Sequence, residues 1–396
     1  MDLSDVRAAR VLLEGVTETT PMAHSRWLSS RTGQDVFLKA ENLQRTGSFK
    51  IRGAYVRIAR LSPEERSRGV VAASAGNHAQ GVALAASLLG AKATIFMPVG
   101  AALPKVAATE SYGADIKFHG SGVTEALVPA REFAERTGAV LIHPFDHEDI
   151  IAGQGTLGLE VLEQCPDVGT ILVPLGGGGL AAGLALLRTE RPDLRIIGVQ
   201  AADAAAYPAS IAAGRPVASA MGVTMADGIA VAQPGDVPFE IIASLLDEII
   251  TVSEDSMSTA LIHLLERAKL LVEPAGAAAV AAVLERPTEF EGPVVAVLSG
   301  GNIDALVLLD VIRHGLVAAG RFLTFRVRIS DRPGELMRLL SDLASMQVNV
   351  LNVNHDRASE SLPVRHVDVD VQVATRGPLQ RADVTSGLVD LGYELV

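Results

Sequence analysis

Thr170-Ile171-Leu172-Val173-Pro174-Leu175-Gly176-Gly177-Gly178-Gly179-Leu180-Ala181-Ala182-Gly183-Leu184 reads as a short buried strand, four glycines and a helix in unbroken succession. Without Cβ atoms the backbone N–H groups of such a loop can close on a phosphate, and the start of the helix adds about half a positive charge. A plain turn needs one or two glycines, whereas four in a row exact about 1 kcal/mol each relative to alanine in regular structure. No Gly-Lys-Ser/Thr follows, so this is not a Walker loop, and the Gly-x-Gly-x-x-Gly spacing of a dinucleotide site is missing. A small monophosphate cofactor fits better.

Towards the N-terminus, the first third of the chain holds Glu41-Asn42-Leu43-Gln44-Arg45-Thr46-Gly47-Ser48-Phe49-Lys50-Ile51-Arg52-Gly53-Ala54. One lysine here stands behind a turn-forming Gly-Ser pair and an aromatic residue, where an apolar helix begins. Lysine is scarce: Lys39, Lys50, Lys92, Lys105, Lys117 and Lys269 are the only ones among 34 Lys+Arg. A lysine shielded by apolar neighbours loses preference for its charged form and becomes a better nucleophile and base. Taken alone, Lys50 is a surface charge in a first helical turn; beside a phosphate loop it is a candidate amine for an aldehyde cofactor. The third element, Val294-Val295-Ala296-Val297-Leu298-Ser299-Gly300-Gly301-Asn302, is a strand ending in a hydroxyl and two glycines. Ligands of parallel sheets sit at such strand ends, and a serine hydroxyl can hydrogen-bond a heteroaromatic nitrogen without protonating it.

Together these residues resemble the threonine dehydratase (threonine ammonia-lyase) family of pyridoxal-phosphate enzymes with the tryptophan synthase β fold, over about residues 20–310. The resemblance implies an α/β, two-lobed fold type II catalytic region with pyridoxal 5'-phosphate as cofactor and a small-molecule amino acid as substrate. It assigns Lys50 as the Schiff-base lysine and catalytic base, Phe49 as the ring packed on the pyridine, and Asn77 as partner of the phenolic oxygen. Gly176, Gly177, Gly178, Gly179 and Leu180 would hold the phosphate, and Ser299 would face the pyridine nitrogen. The N–H groups of Ser74, Ala75, Gly76, Asn77 and His78, at another helix start, would receive the substrate carboxylate. The implied reaction is β-elimination: threonine to 2-oxobutanoate and ammonia, and serine to pyruvate. Serine racemase, 3-hydroxyaspartate dehydratase and a non-catalytic amino-acid-binding protein are the alternatives. Against racemisation, Ala75 stands where serine racemases carry a proton-donating serine, and Gln200 and Ala206 stand at their metal-binding positions, so no metal site is expected.

Gly153-Gln154-Gly155-Thr156 and His143-Pro144-Phe145-Asp146 resemble family segments near the substrate, and a plain loop role explains their composition equally well. Asp227-Gly228-Ile229-Ala230 and Glu273-Pro274-Ala275-Gly276 resemble segments edging the cofactor ring. His78 is expected to pack rather than to catalyse, because Lys50 supplies the base. Cys165, without a partner, reads as an inert or surface thiol.

Composition fits a soluble enzyme of two or three domains: 396 residues, 48% hydrophobic, with one cysteine and hence no internal disulfide. A net charge of −12 without a basic run argues against nucleic acid and anionic membranes as partners. The first residues lack the order of a signal peptide and the alanine-rich stretches are too short to span a bilayer, so a cytoplasmic location is expected.

After Ala319-Gly320 the pattern changes. Short apolar strands alternating with helices, as at Val36–Leu38, Val70–Ala73, Thr94–Met97, Ile171–Val173 and Ile196–Val199, give way to period-two strands at Phe325–Ile329 and Val367–Val373. Between them Pro333-Gly334 opens a helix burying Leu336, Leu339, Leu340 and Leu343. This tail resembles an ACT domain, a ferredoxin-like α+β module that typically senses an amino acid where two copies pair. Expected domains are therefore catalytic, 1–315, with a small lobe over about 50–145; linker, 316–321; and regulatory, 322–396. The resemblance also implies a homodimer or homotetramer, and an amino-acid effector around Asp331–Leu336 and Asn349–Asn354.

Overall fold

The structure, a computed structural model, describes residues 1–357 and 362–396. It divides into two compact units, Met1–Leu308 and Leu309–Val396. In the first, β1 (Met22–His24), β2 (Val36–Ala40), β3 (Val70–Ala73), β4 (Ala93–Met97), β5 (Asp115–Phe118), β6 (Val140–Leu141), β7 (Thr170–Pro174), β8 (Arg195–Ala201), β9 (Glu248–Val252) and β10 (Val294–Leu298) form two sheets. The larger runs β1-β2-β10-β7-β8-β9 and is parallel except for β1; the smaller, β5-β4-β3-β6, is parallel throughout. Every residue of β7 and β10 is buried, which explains their unbroken apolar sequences: helices cover both faces of such a sheet. Ile171, Val173, Val295 and Val297 pack with Leu157 and Leu184 in one core, while Val70, Ile95, Ile51 and Val82 build a second around the smaller sheet.

One expectation fails in this unit. Gly153 to Thr156 form no substrate loop; they lie buried inside the helix Glu148–Gln164, outside the cavity described below. Gly153 is small because that helix crosses the Lys50–Ala59 helix there: a Cβ on Gly153 would lie 2.6 Å from the Gly53 Cα. The composition that resembled a loop is that of a close helix crossing.

In the second unit, β11 (Phe322–Ser330), the helix Glu335–Ser345, β12 (Asn349–Asp356), β13 (His366–Ala374), the helix Pro378–Asp390 and β14 (Glu394–Leu395) follow in βαββαβ order. The antiparallel sheet runs β12-β13-β11-β14, the ferredoxin-like arrangement. Gly334, at φ +96°, caps the first of these helices, whose Leu339 and Leu343 enter a core with Val327, Val369 and Val371. Leu336 and Leu340 are only partly buried against it.

Candidate active site

The C-terminal ends of β3, β7 and β10 open on one cavity of about 410 Å³ in the first unit. Lys50 enters it from the first position of its helix. The preceding segment is tied to the end of β10, Ser48 pairing with Gly300 and the Phe49 N–H donating to the Ser299 carbonyl at 3.2 Å. Lys50 Nζ donates to the Pro144 carbonyl at 2.9 Å and lies 5.1 Å from the centroid of the Phe49 ring. Burial pushes the amine down to about 8, against the opposing pull of Glu273.

The glycine loop lines the opposite part of the same cavity. Gly178 has φ +104°, and a side chain there would overlap the Tyr207 hydroxyl. The Gly177 carbonyl is fixed from behind by the Gly235 N–H at 3.2 Å and the Tyr207 hydroxyl at 3.3 Å. The N–H groups of Gly176, Gly177, Gly178, Gly179 and Leu180 donate to no protein acceptor among the described residues, which leaves a row of backbone donors at the cavity. Ser299, buried at the end of β10, presents a neutral hydroxyl to the same space.

Asn77 begins the helix Asn77–Leu88 and is held on both sides. Its Nδ2 donates to Glu273 Oε1 at 2.6 Å, and its Oδ1 accepts from Asn302 Nδ2 at 2.8 Å. Asn302 Nδ2 also donates to the Thr46 carbonyl at 2.6 Å, joining this chain of bonds to the segment before Lys50. Burial, with Asp227 nearby, raises the Glu273 carboxyl to about 7. His78 is buried with Nε2 2.8 Å from the Ile142 carbonyl, and desolvation lowers it to about 3, so the ring is neutral and acts in packing. His143, also lining the cavity, is lowered to about 4 by burial. Within Ser74 to His78 the donors are fewer than expected: the Ser74 N–H bonds the Phe96 carbonyl at 3.0 Å and the Gly76 N–H bonds Ser74 Oγ at 3.2 Å. Ala75, Asn77 and His78 retain theirs.

An amine of lowered proton affinity, a row of unpaired donors and a neutral hydroxyl in one cavity suit an aldehyde, a phosphate and a heteroaromatic nitrogen. The family model for pyridoxal-phosphate dependent enzymes matches residues 13–300. This chain belongs to that family. The protein is therefore pyridoxal-phosphate dependent. It is similar to an L-threonine ammonia-lyase of Thermotoga maritima, 44% identical over 99% of this chain and 98% of that one. A second L-threonine ammonia-lyase, from Geobacter sulfurreducens, is 47% identical over 94% of each. Among solved structures, the processed form of threonine deaminase isoform 2 from Solanum lycopersicum is 35% identical with a TM-score of 0.74, covering 79% of this chain and 94% of that chain.

Sequence reasoning missed three features. Lys105, on the helix Leu103–Ser111, lines the cavity and lies 3.3 Å from Asp227 Oδ2; the scarcity of lysine that singled out Lys50 applies to it equally. Asn302 ends a quoted motif, yet its bonds to Thr46 and Asn77 reach across 256 and 225 positions. The third is a buried charge cluster. Arg52 donates to both oxygens of Glu41, at 2.8 and 2.9 Å, and pairs with Glu160 at 2.7 Å, while Lys39 pairs with the other oxygen of Glu160 at 2.6 Å. Of the two positions compared with the metal ligands of serine racemases, Gln200 links the Leu175 carbonyl and the Tyr207 N–H through its amide, and Ala206 is buried.

Proposed function

We propose that the chain eliminates the β-hydroxyl of L-threonine, and of L-serine, to give the 2-oxo acid and ammonia. The observation that carries this reading is the meeting of Lys50, the unpaired N–H row of Gly176 to Leu180 and Ser299 in one cavity, in a chain similar along nearly its full length to L-threonine ammonia-lyases. Lys50 would hold the coenzyme aldehyde and the glycine loop its phosphate, with Phe49 available to the ring and Asn77, oriented by Glu273 and Asn302, to the phenolic oxygen. The bound coenzyme supplies an electron sink for the pair left behind when a Cα proton departs. Once the substrate's own amine has taken Lys50's place on the aldehyde, the freed Lys50 amine, lowered by burial, would take that proton. The neutral hydroxyl of Ser299 would leave a ring nitrogen unprotonated, a weaker sink that would favour loss of a β-group over reprotonation elsewhere. Ala75 has no proton to deliver to the opposite face of Cα, which sets elimination ahead of racemisation.

The second unit is read as an amino-acid sensor. A pocket of about 350 Å³ within it is lined by Asp331, Arg332, Pro333, Gly334, His355 and Arg357, and β12 is a largely exposed edge strand on which a second copy can pair. The chain is read as a homodimer or homotetramer of the cytoplasm, a setting suited to a single buried cysteine whose thiol burial pushes up to about 11. Purified enzyme given threonine, serine or 3-hydroxyaspartate, each with and without isoleucine or valine, tests both halves. Threonine is expected to yield 2-oxobutanoate at a rate the added amino acid alters. No 2-oxo acid from threonine or serine would overturn the catalytic reading.

A further inference from the structure

Lys105 is the second lysine of the cavity, and nothing in the catalytic scheme above employs it. It stands on the helix Leu103–Ser111, which follows β4 of the smaller sheet, whereas its partner Asp227 belongs to the short helical turn Asp227–Ile229 on the other side of the cavity. The 3.3 Å pair is asymmetric, the Lys105 side chain being 17% exposed and that of Asp227 68%. The ammonium also lies against the loop proposed to receive the substrate carboxylate, since a methyl group placed on Gly76 would be 3.7 Å from Nζ. That loop is short of donors, because the N–H groups of Ser74 and Gly76 are already bonded within the protein. A carboxylate arriving beside Ala75, Asn77 and His78 therefore meets a positive charge largely shielded from water and paired with an aspartate that water can solvate in its place.

We infer that Lys105 is the charged half of the substrate-carboxylate seat and that Asp227 holds it in readiness, releasing it when an amino acid binds. This rests on the function proposed above and adds to it the group that discriminates amino acids from amines and amino-acid esters. Lys105→Met, Lys105→Arg and Asp227→Asn holoenzymes test it through KM and kcat. Loss of a charge-assisted bond predicts that Lys105→Met raises KM about tenfold or more, kcat falling much less and the visible coenzyme absorbance persisting. Lys105→Arg restores most of the affinity and Asp227→Asn lowers KM, outcomes that a merely structural bridge would not produce. A Lys105→Met enzyme with the KM of the parent, or a Lys105→Arg enzyme as weak as Lys105→Met, overturns the assignment. A parent enzyme that forms no 2-oxo acid at all would instead overturn the function on which it rests.

Discussion

Two lysines share the cavity, and Lys50 is placed to lose its proton readily. Lys50 is part-buried, donates to a neutral carbonyl and is lowered to about 8, whereas Lys105 keeps a carboxylate at 3.3 Å. Capture of an aldehyde needs the neutral amine, so the fraction of reactive Lys50 rises with pH and saturates above its own pKa. Stopped-flow uptake of pyridoxal phosphate by the apoenzyme is expected to climb from about pH 6 and level off above about 8; a rate still climbing towards the ordinary lysine value of about 10.4 would place capture on a different amine. Single residues are legible in the sequence where neighbours in the chain are neighbours in space: Ser48-Phe49-Lys50, the four glycines and Ser299 each carry a local pattern. Glu273 is legible within its Glu-Pro-Ala-Gly motif, but its raised pKa arises from burial and from Asp227, which no local pattern records.

Among the elements, the Lys50–Ala59 helix must be held rigidly if its first residue is to be placed. Two devices hold it. The Gly53–Gly153 crossing brings it against the helix Glu148–Gln164, and Arg52, 1% exposed, joins Glu41 at the end of β2 to Glu160 on that same neighbouring helix. Removing the guanidinium would leave two buried carboxylates, Glu160 with Lys39 and Glu41 with the Thr20 hydroxyl. Arg52→Leu is therefore expected to cost about 3–5 kcal/mol in urea unfolding of the apoenzyme, and a loss below about 1 kcal/mol, the range of exposed ion pairs, would show the cluster to be incidental. The strands expected from apolar runs are present as β2, β3, β4, β7 and β8, and the period-two segments as β11 and β13. The segment Gly153–Thr156 resists such reading because glycine marks both open loops and tight helix contacts, and only tertiary packing separates the two.

In the molecule as a whole, a two-sheet catalytic unit and a ferredoxin-like unit follow one another in a chain that matches an L-threonine ammonia-lyase over 99% of its length. The change from buried parallel strands to alternating ones announces this succession, since each pattern reports how many faces of a sheet meet solvent. Sequence patterns do not report which charged side chains the fold gathers from distant segments, as Lys105 with Asp227 and Arg52 with Glu160. Of six lysines spread over the chain, Lys50 is the one proposed to bond the coenzyme through its amine. Borohydride reduction of the yellow holoenzyme followed by peptide mass mapping tests this directly: one pyridoxyl-phosphate adduct is expected, on Lys50, and an adduct on any other lysine, or none, would contradict it.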